Sequence, residues 1–339
     1  MRVERAERSM DTLTRAAWWY YVDGWTQEAI ADRMHVSRAT VVRMLQRARQ
    51  TGIVEIRVHG DRLADIRRES ELASRFGLHE AMVVAPDDNP GGIREGLARA
   101  AANYMQTMLA QQSRRRRRGA YLMGMGWGHT LGAVARYIDP PVGGFRHVRI
   151  VEMIGAPDGP WNGSVRASLK LSERCGVPAV YMNAPAVAST PAIRTAILAD
   201  AQIRRTLAEC RKVDVAFVGI GSLAKDYGQQ SFRLVSEPEA EALRRQGAVG
   251  DVLGQFFNVQ GAQVDGPVGD RTVGVDWQTL QDIPMVVGVA GGPGKGPAVL
   301  GALRSGLLNA LITDQATADF VVAAAGEMVA SAVHAERGV

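Results

Sequence analysis

The chain has 339 residues, a hydrophobic fraction of 46% and a formal charge of +5. That length suits two domains, the apolar content supports a packed core, and the mildly basic balance permits nucleic acid as a partner. Two distant cysteines, six scattered histidines, no apolar run near the roughly 18 residues of a membrane span and a charged start, MRVERAERSMDTLTR, argue against a disulfide framework, a metal site, a membrane segment and a secretory signal.

Residues 11–23, DTLTRAAWWYYVD, place Leu13, Ala16, Ala17, Tyr20 and Tyr21 at helical spacing. Gly24 is a stop of the usual kind, and Thr26 is suited to cap a second helix from Gln27 to Met34, with Ala29, Ile30 and Met34 on one face. His35-Val36 is a tight connection. Ser37 then caps a third helix from Arg38 to about Gln50, with Val41, Val42 and Leu45 inward. Two short capped helices across a turn of a few residues form a helix-turn-helix, and IVEIRVHG behind them alternates like a wing strand.

The residues predicted to face DNA are Thr26, Gln27, Ser37, Arg38, Ala39, Thr40, Arg43 and Arg47. Arginine reads guanine bidentately, Thr and Ala touch a thymine methyl, and hydroxyls hold phosphates. The plain alternative is a three-helix bundle with a solvated basic face. The boundaries read from sequence are 1–58 for this all-α, winged DNA-binding head, 59–78 for a linker helix and 79–339 for a ligand-binding domain. The helix over 61–76 is equally readable as the first helix of the second domain. The run Arg114–Arg118 reads as a solvated loop.

From residue 80, apolar strands alternate with helices. Strands are predicted at 80–85, 120–124, 148–153, 178–182, 214–219, 285–290 and 309–313. Helices are predicted at 93–111, 130–138, 164–175, 191–211, 236–246, 296–305 and 315–333. This pattern predicts an α/β, three-layer, Rossmann-like parallel sheet, whose ligands bind at the carboxyl ends of the strands.

Four segments there carry polar chemistry. In the first, Gly124, Gly126, Trp127, Gly128, His129 and Thr130 span a strand, a glycine loop and a helix start, where backbone N–H groups meet an anion and Thr130 caps the helix or binds the ligand. The second holds Gly219 and Gly221. The third is Asp251, in a glycine-bounded turn before an apolar stretch, placed to accept from a polyhydroxyl ligand. The fourth is Gly291-Gly-Pro-Gly294-Lys295, whose lysine suits a phosphate or carboxylate. Ordinary turn and packing roles are the plain reading of each, so the weight rests on the four together.

WTQEAIADRMHVSRATVVRMLQRARQTGIVEIRV, GMGWGHTL, DVAFVGIGS, GAVGDVLGQFF and VVGVAGGPGKGPAVLGALRSGLLNALITDQATA resemble the SorC-type sugar-binding transcriptional regulators over nearly the whole chain. The resemblance implies an effector domain related to sugar-phosphate isomerases and deaminases that has lost catalysis. It also implies homo-tetramers on operator DNA and phosphorylated sugars as frequent effectors. By motif, Gly124, Gly126, Gly128 and Thr130 match the effector-contacting loop, Asp251 a ligand-facing polar position and Lys295 the basic residue of the last pocket loop. The family often has Arg at the position of His129 and Asp at that of Asn258, and segment 151–158 is less polar than its usual counterpart, so an unphosphorylated sugar or polyol is the alternative effector. A sugar-phosphate isomerase or deaminase with Asp251 as acid/base is the other alternative, but Asp251 lacks a convincing proton-transfer partner. The expectation is a cytoplasmic, non-enzymatic regulator of carbohydrate metabolism with no cofactor, no metal and no membrane partner.

Overall fold

The computed structural model describes residues 2–54, 60, 62–86, 92–114, 119–141, 144–157, 167–224, 235–266 and 268–336. Contacts divide the chain into two compact units, 1–63 and 64–339.

The first unit holds α1 (Arg2–Tyr21), α2 (Gln27–Met34) and α3 (Arg38–Gln50). Its core is Ala16, Ala17, Ile30, Ala31, Val41, Leu45 and Ala48. Four of these seven are alanines, which lets the helix axes approach closely. Tyr21 and Ala29, two of the apolar positions in the helical patterns, are exposed. The wing strand expected over 53–60 falls mainly on 55–59, outside the described residues.

The second unit opens with α4 (Leu63–Phe76), β1 (Glu80–Val84), α5 (Gly92–Arg114), β2 (Tyr121–Met125), α6 (His129–Val134), β3 (Val148–Glu152), α7 (Ala167–Cys175) and β4 (Ala179–Val180). It continues with α8 (Pro191–Ala199), α9 (Ala201–Cys210), β5 (Val215–Gly219), β6 (Gly221–Ser222), α10 (Glu237–Arg245), β7 (Ala248–Val252) and β8 (Gln255–Asn258). It closes with α11 (Trp277–Asp282), β9 (Val286–Val289), α12 (Gly296–Arg304), β10 (Ala310–Asp314) and α13 (Gln315–Glu336). All seven predicted strands are present and form one parallel sheet in the order β1-β10-β9-β5-β2-β3-β4.

Successive residues along each strand enter different cores, as a period of two requires. Tyr121, Met123, Ile150, Val215, Phe217, Val287 and Ile312 pack with α5, α6 and α7. Leu122, Val151, Ala216, Val218, Val286 and Leu311 pack with α9, α12 and α13, and with Leu72 of α4. Helices therefore cover both faces of the sheet, giving three layers.

A broken helix and an added sheet are departures from the sequence reading. The helix expected over 191–211 is broken at Asp200, whose backbone is extended and whose Oδ1 accepts from the amides of Gln202 (2.8 Å) and Ile203 (3.2 Å), so it caps α9. Strands β6, β7 and β8 form a separate antiparallel sheet in that order, where the sequence reading had a turn. The run Arg114–Arg118 lies outside the described residues beyond its first member, which ends α5.

From β2 the chain builds outward through β3 and β4, then returns to the other side of β2 as β5 and proceeds through β9 and β10. The two directions diverge between β2 and β5. That divergence opens a crevice at the carboxyl ends of these two strands.

Candidate functional site

In the head, Thr26 Oγ1 accepts from Ala29 N (3.2 Å) and Ser37 Oγ from Thr40 N (3.2 Å), so both predicted caps form. His35 takes a left-handed conformation (φ 54°), and Val36 N donates back to the Ala31 carbonyl (3.0 Å), which closes the connection between α2 and α3. Arg38, Ala39, Arg43 and Arg47 are exposed on α3, with Thr40 half-buried between them. Gln27 Oε1 accepts from Arg38 Nε (3.4 Å) and Thr40 Oγ1 from Arg43 Nη2 (3.4 Å), so the two helices present one connected polar surface. The sequence reading missed a clamp behind that surface. Trp19 and Trp25 stack at 5.6 Å, and the Arg33 guanidinium lies 5.4 and 5.5 Å from their rings. This cation–π contact fixes the α1–α2 corner.

In the second unit, a cavity of about 150 Å³ occupies the β2/β5 crevice. Trp127, Gly128, His129 and Thr130 line it from the end of β2, Gly219 and Gly221 from the end of β5, and Asp251 and Lys295 from the other two predicted segments. Eight of the ten predicted effector residues therefore meet in one place. Gly124 and Gly126 do not line it. A Cβ at Gly124 would overlap Met153 Sδ, and one at Gly126 would come within 2.8 Å of Leu253, so both are packing glycines, the first within β2 and the second just past its end.

Three further details differ from expectation. Gly128, not Thr130, stands at the N-cap of α6, and no side chain caps that helix. Asp251 lies on β7, paired in register with Gly221 of β6, rather than in a turn. Asn258 faces away from the cavity chemistry: its Oδ1 accepts from the amides of Gln260 and Ala262 (both 3.0 Å), forming a local turn. The Asn at that position therefore says nothing about the charge of a ligand.

The core of the site sets a buried lysine near a half-buried carboxylate, Asp251. Lys295 is only 7% exposed, and its Nζ donates to the Ile220 carbonyl. Burial pushes its pKa down to about 8, against the opposing pull of Asp251. Burial likewise raises the Asp251 carboxyl, opposed by the Gly254 N–H, which donates to Oδ2 at 3.0 Å, and by Lys295. The glycines make room for Asp251 and the strand beside it. A Cβ at Gly221 would overlap Asp251 Oδ1, and one at Gly250 would overlap the Gly221 carbonyl. Ser222 Oγ donates to the Gly294 carbonyl (2.9 Å) and ties the β6 turn to the Lys295 loop.

Two arginines that sequence reasoning overlooked also line the cavity. Arg244 sits on α10, where Glu237 (2.9 Å) and Glu241 (2.6 Å) neutralise it and its Nε donates to the Leu223 carbonyl (2.7 Å). Arg94 projects, exposed, from the first turn of α5. Burial and, second, the charge of Arg94 lower the His129 pKa, so the imidazole is neutral at pH 7. Arg94 thus supplies a permanent charge beside a position where the family often carries its own arginine. Only contact across the fold pairs these two positions, 35 residues apart, so nothing in the local sequence marks Arg94.

Among the described residues there is no cluster of three or more metal-ligating side chains and no helix long and apolar enough to cross a membrane. A sigma-70 region 4 model matches residues 4–51, and the Sugar-bind sugar-binding domain model matches residues 61–323. The transcriptional regulator LsrR of Enterobacter sp. (strain 638) is 31% identical over 320 residues, covering 93% of this chain and 94% of its own. The transcriptional regulator YjhU of Escherichia coli (strain K12) is 27% identical over 321 residues, covering 92% and 94%. Among solved structures, the full-length sorbitol operon regulator SorC of Klebsiella pneumoniae shares the fold with a TM-score of 0.69 at 24% identity, covering 91% of this chain and 98% of its own. A DeoR family regulator of Listeria monocytogenes gives 0.65 at 25%, covering 76% and 99%. With a helix-turn-helix joined to a parallel-sheet sugar-binding domain, matched along almost its entire length, the chain belongs to the SorC-type sugar-binding transcriptional regulators.

Proposed function

We propose that this regulator acts on carbohydrate metabolism and that a phosphorylated sugar, seated in the β2/β5 crevice, sets its affinity for operator DNA. The observation that carries this reading is the convergence of Arg94 and Lys295 with one carboxylate, Asp251, in a single cavity. The two cations suit a phosphate, since charge-assisted hydrogen bonds are the strong ones. Asp251 suits the sugar hydroxyls. Arg244 adds no net charge because Glu237 and Glu241 neutralise it. In the head, Thr26, Gln27, Ser37, Arg38, Ala39, Thr40, Arg43 and Arg47 are the DNA-facing set.

The reading is of binding without turnover: Asp251 accepts from the Gly254 N–H, Lys295 donates to the Ile220 carbonyl, and His129 is a neutral neighbour of Arg94. We read the working form as a cytoplasmic homo-tetramer, in keeping with the family. The neutral His129 and the carboxylate of Asp251 favour an unphosphorylated polyol as the second reading.

Calorimetric titration with a hexitol 6-phosphate, the same hexitol without phosphate, and inorganic phosphate separates the two. The phosphorylated ligand is expected to bind at least about tenfold more tightly, the worth of one charge-assisted bond. Equal affinity for both hexitols overturns the phosphate reading in favour of the polyol.

A further inference from the structure

Lys295 ends a loop, Gly291–Lys295, and both of those residues line the cavity. The back of that loop rests on the start of α13. Asp314 Oδ2 accepts from Gly292 N (2.6 Å) and from Thr317 Oγ1 (2.8 Å), while Oδ1 accepts from Thr317 N (3.0 Å). There is no slack between the two parts. A Cβ on Gly291 would overlap Asp314 Oδ2, and one on Gly296 would overlap the Phe320 ring. A displacement of the loop is therefore a displacement of the first turns of α13, because close-packed contacts transmit strain rather than absorb it.

Those same turns grip α4. Gln315, next in sequence to Asp314, donates through Nε2 to Asp65 Oδ1 (2.6 Å). Asp319, one turn further on, receives Arg68 Nε (2.6 Å) and Nη2 (3.1 Å) in a bidentate pair, and Arg68 Nη1 reaches Asp65 at 3.3 Å. Asp65 is a carboxylate only 3% exposed, so its position depends on these partners. The far half of α4 is anchored elsewhere: Leu72 is fully buried in the sheet core, and Glu69 Oε1 accepts from Val83 N (2.8 Å) of β1. The near half of α4, held by α13, is where the chain passes from one unit to the other, after Leu63.

We propose that the Asp65–Arg68–Gln315–Asp319 cluster between α4 and α13 is the relay through which occupancy of the cavity alters DNA binding. It rests on the ligand-responsive reading above, and it assigns positioning roles to residues that touch neither ligand nor DNA. The ligand acts by favouring one placement of the loop over another, and only that difference in affinity is available to drive the response.

The test uses the full chain, a duplex selected from a random library by the wild-type protein, and a hexitol 6-phosphate as probe ligand. Wild-type DNA affinity is expected to change on the order of ten- to a hundredfold with the probe, a usual allosteric coupling. Arg68→Gln and the gentler Asp319→Asn are expected to bind the probe and the duplex with unchanged affinity, while the change in DNA affinity falls below about threefold. A retained full response overturns the relay. So does loss of probe binding in both variants, which would make these residues supports of the cavity.

A second arm needs no ligand. Gly291→Ala displaces Asp314 and is expected to shift DNA affinity by itself, with Arg68→Gln suppressing the shift. An unshifted, folded Gly291→Ala protein overturns the relay even where the probe fails to bind. Failure of the wild type to bind the probe, with the Gly291→Ala shift intact, counts against the ligand reading alone.

Discussion

The two units hold the side chains proposed for function in opposite relation to their cores. In the head, Arg38, Arg43 and Arg47 stand outside a small alanine-rich core and contribute nothing to it. In the ligand unit, Lys295 is buried, and Asp251 fits against Gly221 so closely that the site is part of the packing. Function and stability should therefore separate under mutation in the head and travel together in the ligand unit.

The largest effect belongs to Lys295→Ala. It removes the ammonium that donates to the Ile220 carbonyl, and losing the partner of a buried acceptor costs about 1–3 kcal/mol. Chemical denaturation should show that loss, and calorimetry should show the sugar phosphate no longer binding. A variant of wild-type stability would mean the site is separable from the core after all. Gly221→Ala comes next. Forcing a methyl group onto Asp251 Oδ1 should destabilise by about 1–3 kcal/mol, as overpacking does, with ligand affinity falling in parallel.

Arg38→Ala and Arg43→Ala sharpen the other half of the comparison. Each should weaken operator binding by about 1–3 kcal/mol in a gel-shift or anisotropy titration. Their unfolding midpoints should stay within about 0.5 kcal/mol of wild type, as for other surface changes. Undiminished DNA affinity in both would remove α3 from the major groove.

The Lys295 ammonium gives a pH test. Its pKa near 8 lies below the unfolded value, so the native state sheds this proton first, and the lysine's contribution to stability improves as pH rises from about 8 toward 10.5. An anionic ligand favours the charged form, so its affinity runs the other way. It should fall as pH rises through about 8, by at most about tenfold per pH unit, and titrations of a Lys295→Met variant should lack that dependence. The smallest effect is Ser37→Ala. It removes the Thr40 cap and should cost the head about 1 kcal/mol in thermal melting, without touching ligand affinity.

Much of the fold was legible because its signals are local. Apolar runs marked all seven parallel strands, and Thr26 and Ser37 announced the helix starts that the head requires. The short strands β6 to β8 were not: in GDVLGQFFN, Gly250 serves a close approach to the Gly221 carbonyl within a strand, while Gly254 (φ 77°) does turn the chain between β7 and β8, and the two look alike in sequence. Gly124 was misplaced for the same reason. Its missing side chain serves Met153 across the sheet, a contact that no spacing along the chain reveals. Arg94 escaped because its partner at the cavity, His129, arrives through the fold. Asp200 hid inside a continuous helical pattern that it interrupts by capping the next segment.

The contact between Gly221 and Asp251 also bears on how such a protein evolves. A residue larger than glycine at 221 fits only if the Asp251 carboxylate is displaced, so the two positions are expected to be epistatic. A drift toward a different ligand has a preferred order: Asp251 is replaced by something smaller first, and only then does position 221 become free to vary. The reverse order passes through a chain in which the side chain at 221 and the Asp251 carboxylate compete for the same space.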